Sequence, residues 1–206
     1  RFTTDMKDAI DSSDIVFIAV GTPISNDGSV DVQSVLNAAS DIARHMKSYK
    51  TIVIKSTVPV GTGQQVKTVL QEVLSSRHLD IPFDVVSNPE FLREGSAVQD
   101  FLHPDRIVIG SESERALQIM KDVYRLNEVP FVETSIETAE MIKYASNAFL
   151  AMKITFMNEL ANICENVGAN VQQVADAMGM DKRISPLFLN PGPGIGGSCF
   201  PKMSGH

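Results

Sequence analysis

An alternation of strand and helix patterns along the first two thirds of the chain places the strongest constraint on its fold. Residues 15–20 (IVFIAV) form a continuous apolar, β-rich run, which is typical of a strand buried on both faces of a parallel sheet. A helical pattern follows from Asp31, an expected N-cap, to Ala43, and residues 51–55 form the next strand. The same order then recurs. It predicts an α/β fold with a doubly wound, parallel, Rossmann-like sheet.

The remaining elements of this alternation follow at short intervals. Because ligands of a doubly wound sheet bind at the carboxyl ends of its strands, the loops 21–26, 56–61 and 87–95 are the candidate site loops. The predicted bounds are helices at 63–74 and 114–126, and strands at 83–86, 107–109 and 131–133.

A dinucleotide-binding sheet also carries the motif G-x-G-x-x-G after its first strand, and an acidic residue about twenty positions later. The sequence has neither after residues 15–20. The run Gly61-Thr62-Gly63 lacks the third glycine and follows the second strand, so it predicts a helix start instead. We interpret the pattern as an incomplete sheet whose first βαβ unit is absent.

One long helical pattern runs from residue 135 to residue 167, with apolar residues three or four positions apart throughout. A helix of this length is expected to leave the sheet domain and to pack against its copy in a homodimer. Gly168 ends it, and a short helix is predicted at 171–178. The expected domains are a partial dinucleotide-binding domain at 1–134 and a helical dimerisation domain at 135–202. Residues 203–206 resemble an expression remnant.

Composition excludes several classes of function. The chain has 18 Lys and Arg against 25 Asp and Glu, and this net charge of −7 argues against nucleic acid or an anionic membrane as the partner. Its 2 cysteines lie far apart and do not cluster with the 4 histidines, so neither a disulfide framework nor a metal site is predicted. No signal peptide or membrane-spanning pattern is present. A cytoplasmic protein is the expectation.

The loop 191–202 combines glycines and prolines with one cysteine, Cys199. Such a segment predicts a tight loop whose backbone can lie close against a ligand. Pro201 suits the first turn of a following helix, which would place Cys199 near a helix N-terminus that favours a thiolate. A small, buried and inert cysteine is the alternative.

Two further groups could carry chemistry. Lys143 and Asn147 lie four residues apart on the long helix and so share one face, either as part of a site or as a solvated surface pair. Glu90 and Glu94 lie in the loop after the third strand. They could be a ligand loop that holds an acid or base, or the acidic first turn of a helix.

Five separated motifs occur in a fixed order along the chain: KSTVPVG (55–61), SNPEFLREG (87–95), PDRIVIG (104–110), KYASN (143–147) and GIGGSCFPK (194–202). By these motifs the chain resembles the UDP-glucose 6-dehydrogenases, which belong to a family of NAD-dependent nucleotide-sugar dehydrogenases. This resemblance implies two successive oxidations of the C6 alcohol of UDP-glucose, through a thiohemiacetal and a thioester on cysteine, and hydrolysis to UDP-glucuronate.

The resemblance also implies roles for individual residues. Cys199 would be the nucleophile, Lys143 and Asn147 would stabilise the oxyanion of the covalent adduct, Glu90 would be the general base, and Thr57 would help to hold water. The positions that match NAD-binding residues are Gly21, Thr22, Pro23, Ser56, Thr57 and Glu94. The positions that match substrate-binding residues are Glu90, Phe91, Leu92, Arg93, Lys143, Asn147, Arg183, Phe188, Asn190 and Gly196.

The resemblance implies more specific roles for two of these positions. Arg183 matches an arginine that reaches the sugar nucleotide of the neighbouring subunit, and Glu94 would sit beside the nicotinamide. The chain also departs from the family, because Met203 stands where an aspartate assists proton transfer four residues after the cysteine.

Several alternatives to UDP-glucose oxidation remain open. Another family member acting on GDP-mannose or a UDP-amino sugar is the nearest, although the run 101–106 (FLHPDR) favours UDP-glucose. A single-step β-hydroxyacid dehydrogenase would need no cysteine, and Cys199 argues against it. A cysteine hydrolase lacks a histidine in a suitable motif. From a different class, the chain could be a non-catalytic fragment that dimerises.

Overall fold

The computed structural model describes residues 2–25, 27–125 and 129–194. It divides into two compact units between Lys143 and Tyr144. The elements in chain order are α1 (Met6–Asp11), β1 (Ile15–Ile18), α2 (Gln33–His45), β2 (Lys50–Ile54), α3 (Thr62–Ser76), β3 (Phe83–Ser87), α4 (Ala97–Leu102), β4 (Ile107–Gly110), α5 (Glu114–Val123), β5 (Phe131–Thr134), α6 (Ile136–Val167) and α7 (Val171–Gly179).

The first unit contains a sheet of 5 strands in the order β1-β2-β3-β4-β5. The β1–β2, β2–β3 and β4–β5 pairs are parallel, but β3 and β4 are antiparallel and pair at Ser87 and Gly110. The predicted parallel sheet is therefore confirmed for three of the four strand pairs, and the β3–β4 pair departs from it. A parallel crossover needs a helix that packs back on the sheet, and α4, the only helix between β3 and β4, has no buried residue.

Helices cover both faces of this sheet, as the doubly wound pattern predicted. On one face, α2 and α3 bury a core that includes Ile52 and Ile54 of β2. On the other face, α5 buries Val53 of β2 and Val86 of β3. All of β2 is buried, because successive side chains of a central strand point into opposite cores.

The predicted elements are all present, with bounds that differ by a few residues. The N-cap of α2 is Val32 rather than Asp31, although the Asp31 carboxylate accepts the backbone N–H of Gln33 at 2.8 Å. Two helices were not predicted, α1 and α4, which have 6 residues each. Elements this short carry too few apolar positions to show a helical period.

The second unit is helical over its described residues. It contains the larger part of α6, which begins in the first unit and ends before Gly168, whose φ of 72° suits glycine at a helix end. A small core of Met157, Ala175 and Leu189 joins α6 to α7 and to the loop that follows. Within the described part of the chain, no helix is long and apolar enough to cross a membrane.

Candidate functional site

A buried ion pair joins two of the residues that the sequence singled out. The Lys143 Nζ atom lies 3.0 Å from Oε1 of Glu90, and their side chains are 6% and 25% exposed. The backbone N–H of Leu92 donates to the other Glu90 oxygen at 2.6 Å. Lys143 is therefore not part of a solvated surface pair. Glu90 lies in a loop rather than in the first turn of a helix, so that alternative was also wrong.

The start of α6 is held against the start of α3 by a second carboxylate, one turn before Lys143. Glu140 is buried, and its two oxygens accept the backbone N–H groups of Gly61 at 2.7 Å and Gly63 at 2.8 Å. These amides belong to the start of α3, where unpaired N–H groups need acceptors. Burial raises the pKa of Glu140, and the two N–H groups lower it to a smaller extent. The contact fixes where α6 presents Lys143.

The ring of Phe91, the residue after Glu90, lies close to two cations. The Arg106 guanidinium carbon is 4.0 Å from the ring centroid, and Lys143 Nζ is 5.2 Å from it. Cations within this distance are attracted to an aromatic face. Arg106 immediately precedes β4, so the contact ties the Glu90 loop to a neighbouring strand.

Beside this pair lies a network of three polar side chains. Lys55, directly after β2, donates from Nζ to Oδ1 of Asn88 at 3.1 Å and to the hydroxyl of Tyr124 at 3.3 Å. The Tyr124 hydroxyl donates to the same Asn88 oxygen at 2.7 Å, and Asn88 Nδ2 donates to the carbonyl of Val108 at 2.8 Å. This network joins the ends of β2, β3 and α5 to β4.

Burial shifts the titration of two members of the network. Desolvation lowers the pKa of Lys55 to about 8, against the attraction of Glu90, and the like charge of Lys143 lowers it further. Desolvation raises the pKa of Tyr124 to about 12. Perturbed pKa values of this kind cluster at functional sites.

The loops after β1 and β2 were predicted to hold a dinucleotide, and the structure joins them. The buried hydroxyl of Thr22 donates to the carbonyl of Thr57 at 3.0 Å, and the Ser56 hydroxyl donates to the carbonyl of Val20 at 2.7 Å. A Cβ atom added at Gly21 would meet nothing within 4 Å, so the backbone there is open to close approach. Adjacent parallel strands with open loops at their carboxyl ends fit a dinucleotide.

The other predicted residues of the first unit are exposed, and all but Pro23 lie in the loop that carries Glu90. Arg93 is held by Asp100 of α4 through Nε and Nη2, and the Arg93 N–H donates to the same carboxylate at 2.8 Å. These bonds hold the pKa of Asp100 well below its usual range. Pro23, Leu92 and Glu94 are exposed.

The predicted residues of the second unit are partly described. Asn147 is half-buried on α6, and Asn190 is exposed. Arg183 has a side chain that is 89% exposed, and it pairs with Asp181 at 2.6 Å. Phe188 has a positive φ of 64°.

Both cysteines were assigned contrasting roles from the sequence. Cys164 is 4% exposed on α6, which agrees with its expected burial. Cys199, Gly196 and Met203 lie outside the described residues. Their roles therefore stay predictions.

Two family patterns together match most of the chain. Residues 1–127 match the NAD binding domain of the UDP-glucose/GDP-mannose dehydrogenase family, and residues 137–204 match the central domain of that family. The chain belongs to this family. The sequence resemblance and the Rossmann-type fold are both confirmed.

Individual relatives agree with this assignment. The chain is 54% identical over 98% of its length to the UDP-glucose 6-dehydrogenase TuaD of Bacillus subtilis, and covers 43% of that protein. Among solved structures, a UDP-glucose dehydrogenase of Pyrobaculum islandicum aligns with a TM-score of 0.93 and 43% identity, over 98% of this chain and 46% of that one. A GDP-mannose dehydrogenase of Pseudomonas aeruginosa aligns with a TM-score of 0.82 and 36% identity, over 97% and 47%. The chain spans somewhat under half the length of the curated relatives it matches.

Sequence reasoning assigned no role to four residues that lie in or support the candidate site: Lys55, Asn88, Tyr124 and Glu140. Lys55 carried a usable signal, because it is a single charge at the end of an otherwise apolar strand pattern. Tyr124 carried none, since its approach to Asn88 spans 36 residues and depends on the packing of α5.

Proposed function

We propose that the chain serves in the NAD-dependent oxidation of UDP-glucose to UDP-glucuronate. The observation that carries this proposal is the buried contact of Lys143 with Glu90, which sets a cation and a potential base side by side at the ends of α6 and β3. The greater identity to a UDP-glucose 6-dehydrogenase than to a GDP-mannose dehydrogenase supports UDP-glucose as the substrate.

Lys143 and Glu90 have complementary tasks in such a reaction. A buried ammonium stabilises the negative oxygen that develops when a thiolate or water adds to the C6 carbonyl. A carboxylate within hydrogen-bond reach accepts the proton of the attacking water. The backbone N–H of Leu92 and the ammonium of Lys143 both donate to Glu90, so these bonds orient its carboxylate before the substrate binds.

The nucleophile of the covalent steps would be Cys199, as the family resemblance implies. Its thiolate adds to the C6 aldehyde to give a thiohemiacetal, which is oxidised to a thioester, and water then releases the carboxylate and the thiol. Asn147 would donate to the same oxyanion as Lys143, and Thr57 would hold the water. Met203 has no proton to give, so another group must assist proton transfer.

The NAD-binding residues would be the joined loops Gly21–Pro23 and Ser56–Thr57, with Glu94 beside the nicotinamide. The chemistry that NAD supplies when bound is hydride acceptance in each of the two oxidations. The described loops contribute backbone groups and two hydroxyls that are already paired, so they position the ligand by shape more than by side-chain hydrogen bonds.

A homodimer through α6 completes the proposal. In the part of α6 that lies in the second unit, one apolar stripe is exposed over five described positions, and a stripe of this kind needs a partner surface. A copy of the chain would also bring Arg183 to the neighbour's sugar nucleotide, as the resemblance implies. The exposed positions are Phe149, Met152, Phe156, Ile163 and Val167. The remaining substrate contacts would come from residues 91–93, Phe188, Asn190 and Gly196, and the site of action would be the cytoplasm.

The proposal is tested by turnover of UDP-glucose with NAD, using the protein at its full natural length. Lys143→Met should lower kcat on the order of 10²- to 10³-fold, the loss typical of one oxyanion donor. Glu90→Gln should lower it as well, because an amide cannot accept the proton. Lys121→Met is the matched control, since Lys121 forms an ion pair with Glu133 at 2.7 Å elsewhere in the first unit. Equal losses in all three variants would contradict the proposal.

The cysteine assignment has an independent test. Cys199→Ala should abolish formation of the acid, whereas Cys164→Ala should leave turnover largely intact, because Cys164 is buried on α6. Iodoacetamide at neutral pH should label Cys199 well before Cys164. Faster labelling of Cys164 in the folded protein would overturn the assignment.

A further inference from the structure

We propose that Lys55 is a positioning residue for Glu90, acting through Asn88 and Tyr124. This inference rests on the proposed function, in which Glu90 is the base. Lys55 would touch neither substrate nor cofactor. It would hold the turn that carries Glu90 and add a second positive charge beside the pair formed by Glu90 and Lys143.

The geometry of Asn88 explains how Lys55 can act at a distance. Asn88 is buried, and its backbone N–H donates to the carbonyl of Ile54 at 2.9 Å while its Nδ2 donates to the carbonyl of Val108 at 2.8 Å. Its side-chain acceptor, Oδ1, takes hydrogen bonds from Lys55 and Tyr124. Both the oxygen and the nitrogen of the Asn88 side-chain amide are thus hydrogen-bonded.

Only Pro89 separates Asn88 from Glu90. The ring of Pro89 fixes the backbone angle φ of that residue. Because Asn88 is also held in place, the backbone at Glu90 has little conformational freedom. The carboxylate of Glu90 then meets Lys143 at 3.0 Å and the Leu92 N–H at 2.6 Å. Loss of the hydrogen bond from Lys55 to Asn88 would free the start of the loop that carries Glu90.

The charge of Lys55 acts on the same carboxylate. Burial lowers the pKa of Lys55 to about 8, the opposite charge of Glu90 raises it, and the like charge of Lys143 lowers it. The Tyr124 ring, whose centroid is 5.7 Å from Nζ, faces Lys55 from the end of α5. Lys55 therefore carries its charge at neutral pH and loses it in mildly alkaline solution.

A second lysine provides a matched comparison. Lys50 begins the strand that Lys55 follows, is buried, and donates from Nζ to the carbonyl of Ser13. Both lysines therefore present a buried or half-buried amine to polar acceptors at opposite ends of β2. Lys50→Met reports what the loss of such an amine costs in stability alone.

The test compares Lys55→Met, Lys55→Arg and Lys50→Met in the protein at its full natural length, with UDP-glucose and NAD. Lys55→Met should lower kcat on the order of 10- to 100-fold with little change in KM, since a misplaced base slows chemistry more than binding. In the wild type, kcat should fall above about pH 8, as Lys55 loses its charge. Lys55→Arg should recover part of the loss seen in Lys55→Met and should not show this fall, because arginine stays charged. Lys50→Met should keep the wild-type kcat and pH profile.

Two results would overturn the inference: an unchanged kcat in Lys55→Met, or an equal loss in Lys50→Met. A second readout needs no turnover. The pKa of Lys55, followed by NMR of its side chain, should fall further in Glu90→Gln and stay unchanged in Glu112→Gln, whose carboxylate pairs with Lys67 instead. An unaltered pKa of Lys55 in Glu90→Gln would refute the coupling of Lys55 to Glu90, whatever the substrate is. A wild-type protein that does not oxidise UDP-glucose would refute only the proposed function.

Discussion

The Oε1 atom of Glu140 lies 2.8 Å from the backbone nitrogen of Gly63, so a carboxylate on α6 caps the start of α3. The same carboxylate accepts the N–H of Gly61 through its other oxygen. Both contacts lie within the first unit and one turn from Lys143. The position of Lys143 therefore depends on the carboxylate of Glu140. Among the described hydrogen bonds, none joins Glu140 to Glu90.

Replacing this carboxylate should cost stability. Glu140→Gln keeps the size of the side chain but has a single oxygen acceptor, so one of the two buried N–H groups loses its partner. The expected loss in the free energy of unfolding is about 1–3 kcal/mol, measured by urea denaturation. Glu137→Gln, an exposed position on the same helix, is the control and should change stability much less. Equal effects of the two substitutions would argue against the cap.

Gly110 should tolerate no side chain. A Cβ atom there would lie 2.6 Å from the carbonyl oxygen of Ser135 and 2.9 Å from the Cα of Ile136, both of which are backbone atoms that cannot rotate away. We expect Gly110→Ala to destabilise the protein by about 1–3 kcal/mol, as overpacking does. Gly21→Ala, where nothing lies within 4 Å, is the matched control. Thermal unfolding of both variants measures the difference, and a Gly110→Ala protein as stable as the control would refute the close packing.

The Arg93–Asp100 contact should make stability depend on pH in the acid range. Hydrogen bonds from Arg93 hold the pKa of Asp100 below its unfolded value, so the contact stabilises the protein above that unfolded value. The contribution is lost as pH falls through the folded pKa. Asp100→Asn should therefore lower the melting temperature at neutral pH, and the difference from wild type should shrink below about pH 4.

The same pair allows a double-mutant test. Arg93→Ala should reproduce the pH-dependent loss of Asp100→Asn, and the double variant should add little, because the contact can be removed only once. Fully additive losses, or a difference that stays constant down to acid pH, would show that the two residues act separately. The Arg93 side chain is largely exposed, so the effect at neutral pH is expected to be small.

The exposed stripe of α6 should control self-association. Phe156 lies near its middle and is 52% exposed, so Phe156→Asp would put a charge into a dimer interface there. Sedimentation should show a dimer for wild type and a monomer for the variant. Leu187→Asp is the matched control, because Leu187 is equally apolar and exposed but lies outside the helix. A variant that sediments like wild type would place the dimer contact elsewhere.

Residues close in sequence were the ones that sequence reasoning placed well. The apolar runs of β1 and β2, the period of α6 and the stop at Gly168 are local patterns, and each produced the expected element. The position of Lys143 and Asn147 on one face of α6 could be predicted for the same reason, because helix geometry places residues that are four apart on the same face. Five short motifs in order were sufficient to indicate the family.

Only the tertiary structure decided which distant groups meet. β3 and β4 are antiparallel because α4, which connects them, does not pack on the sheet. The hydrophobic period of the sequence around α4 does not show this. The contacts of Glu90 with Lys143, of Tyr124 with Asn88 and of Glu140 with Gly63 join residues 53, 36 and 77 positions apart. Periodicity determines which face of an element is buried, whereas the partner of a buried charge is determined by the packing of whole elements against one another.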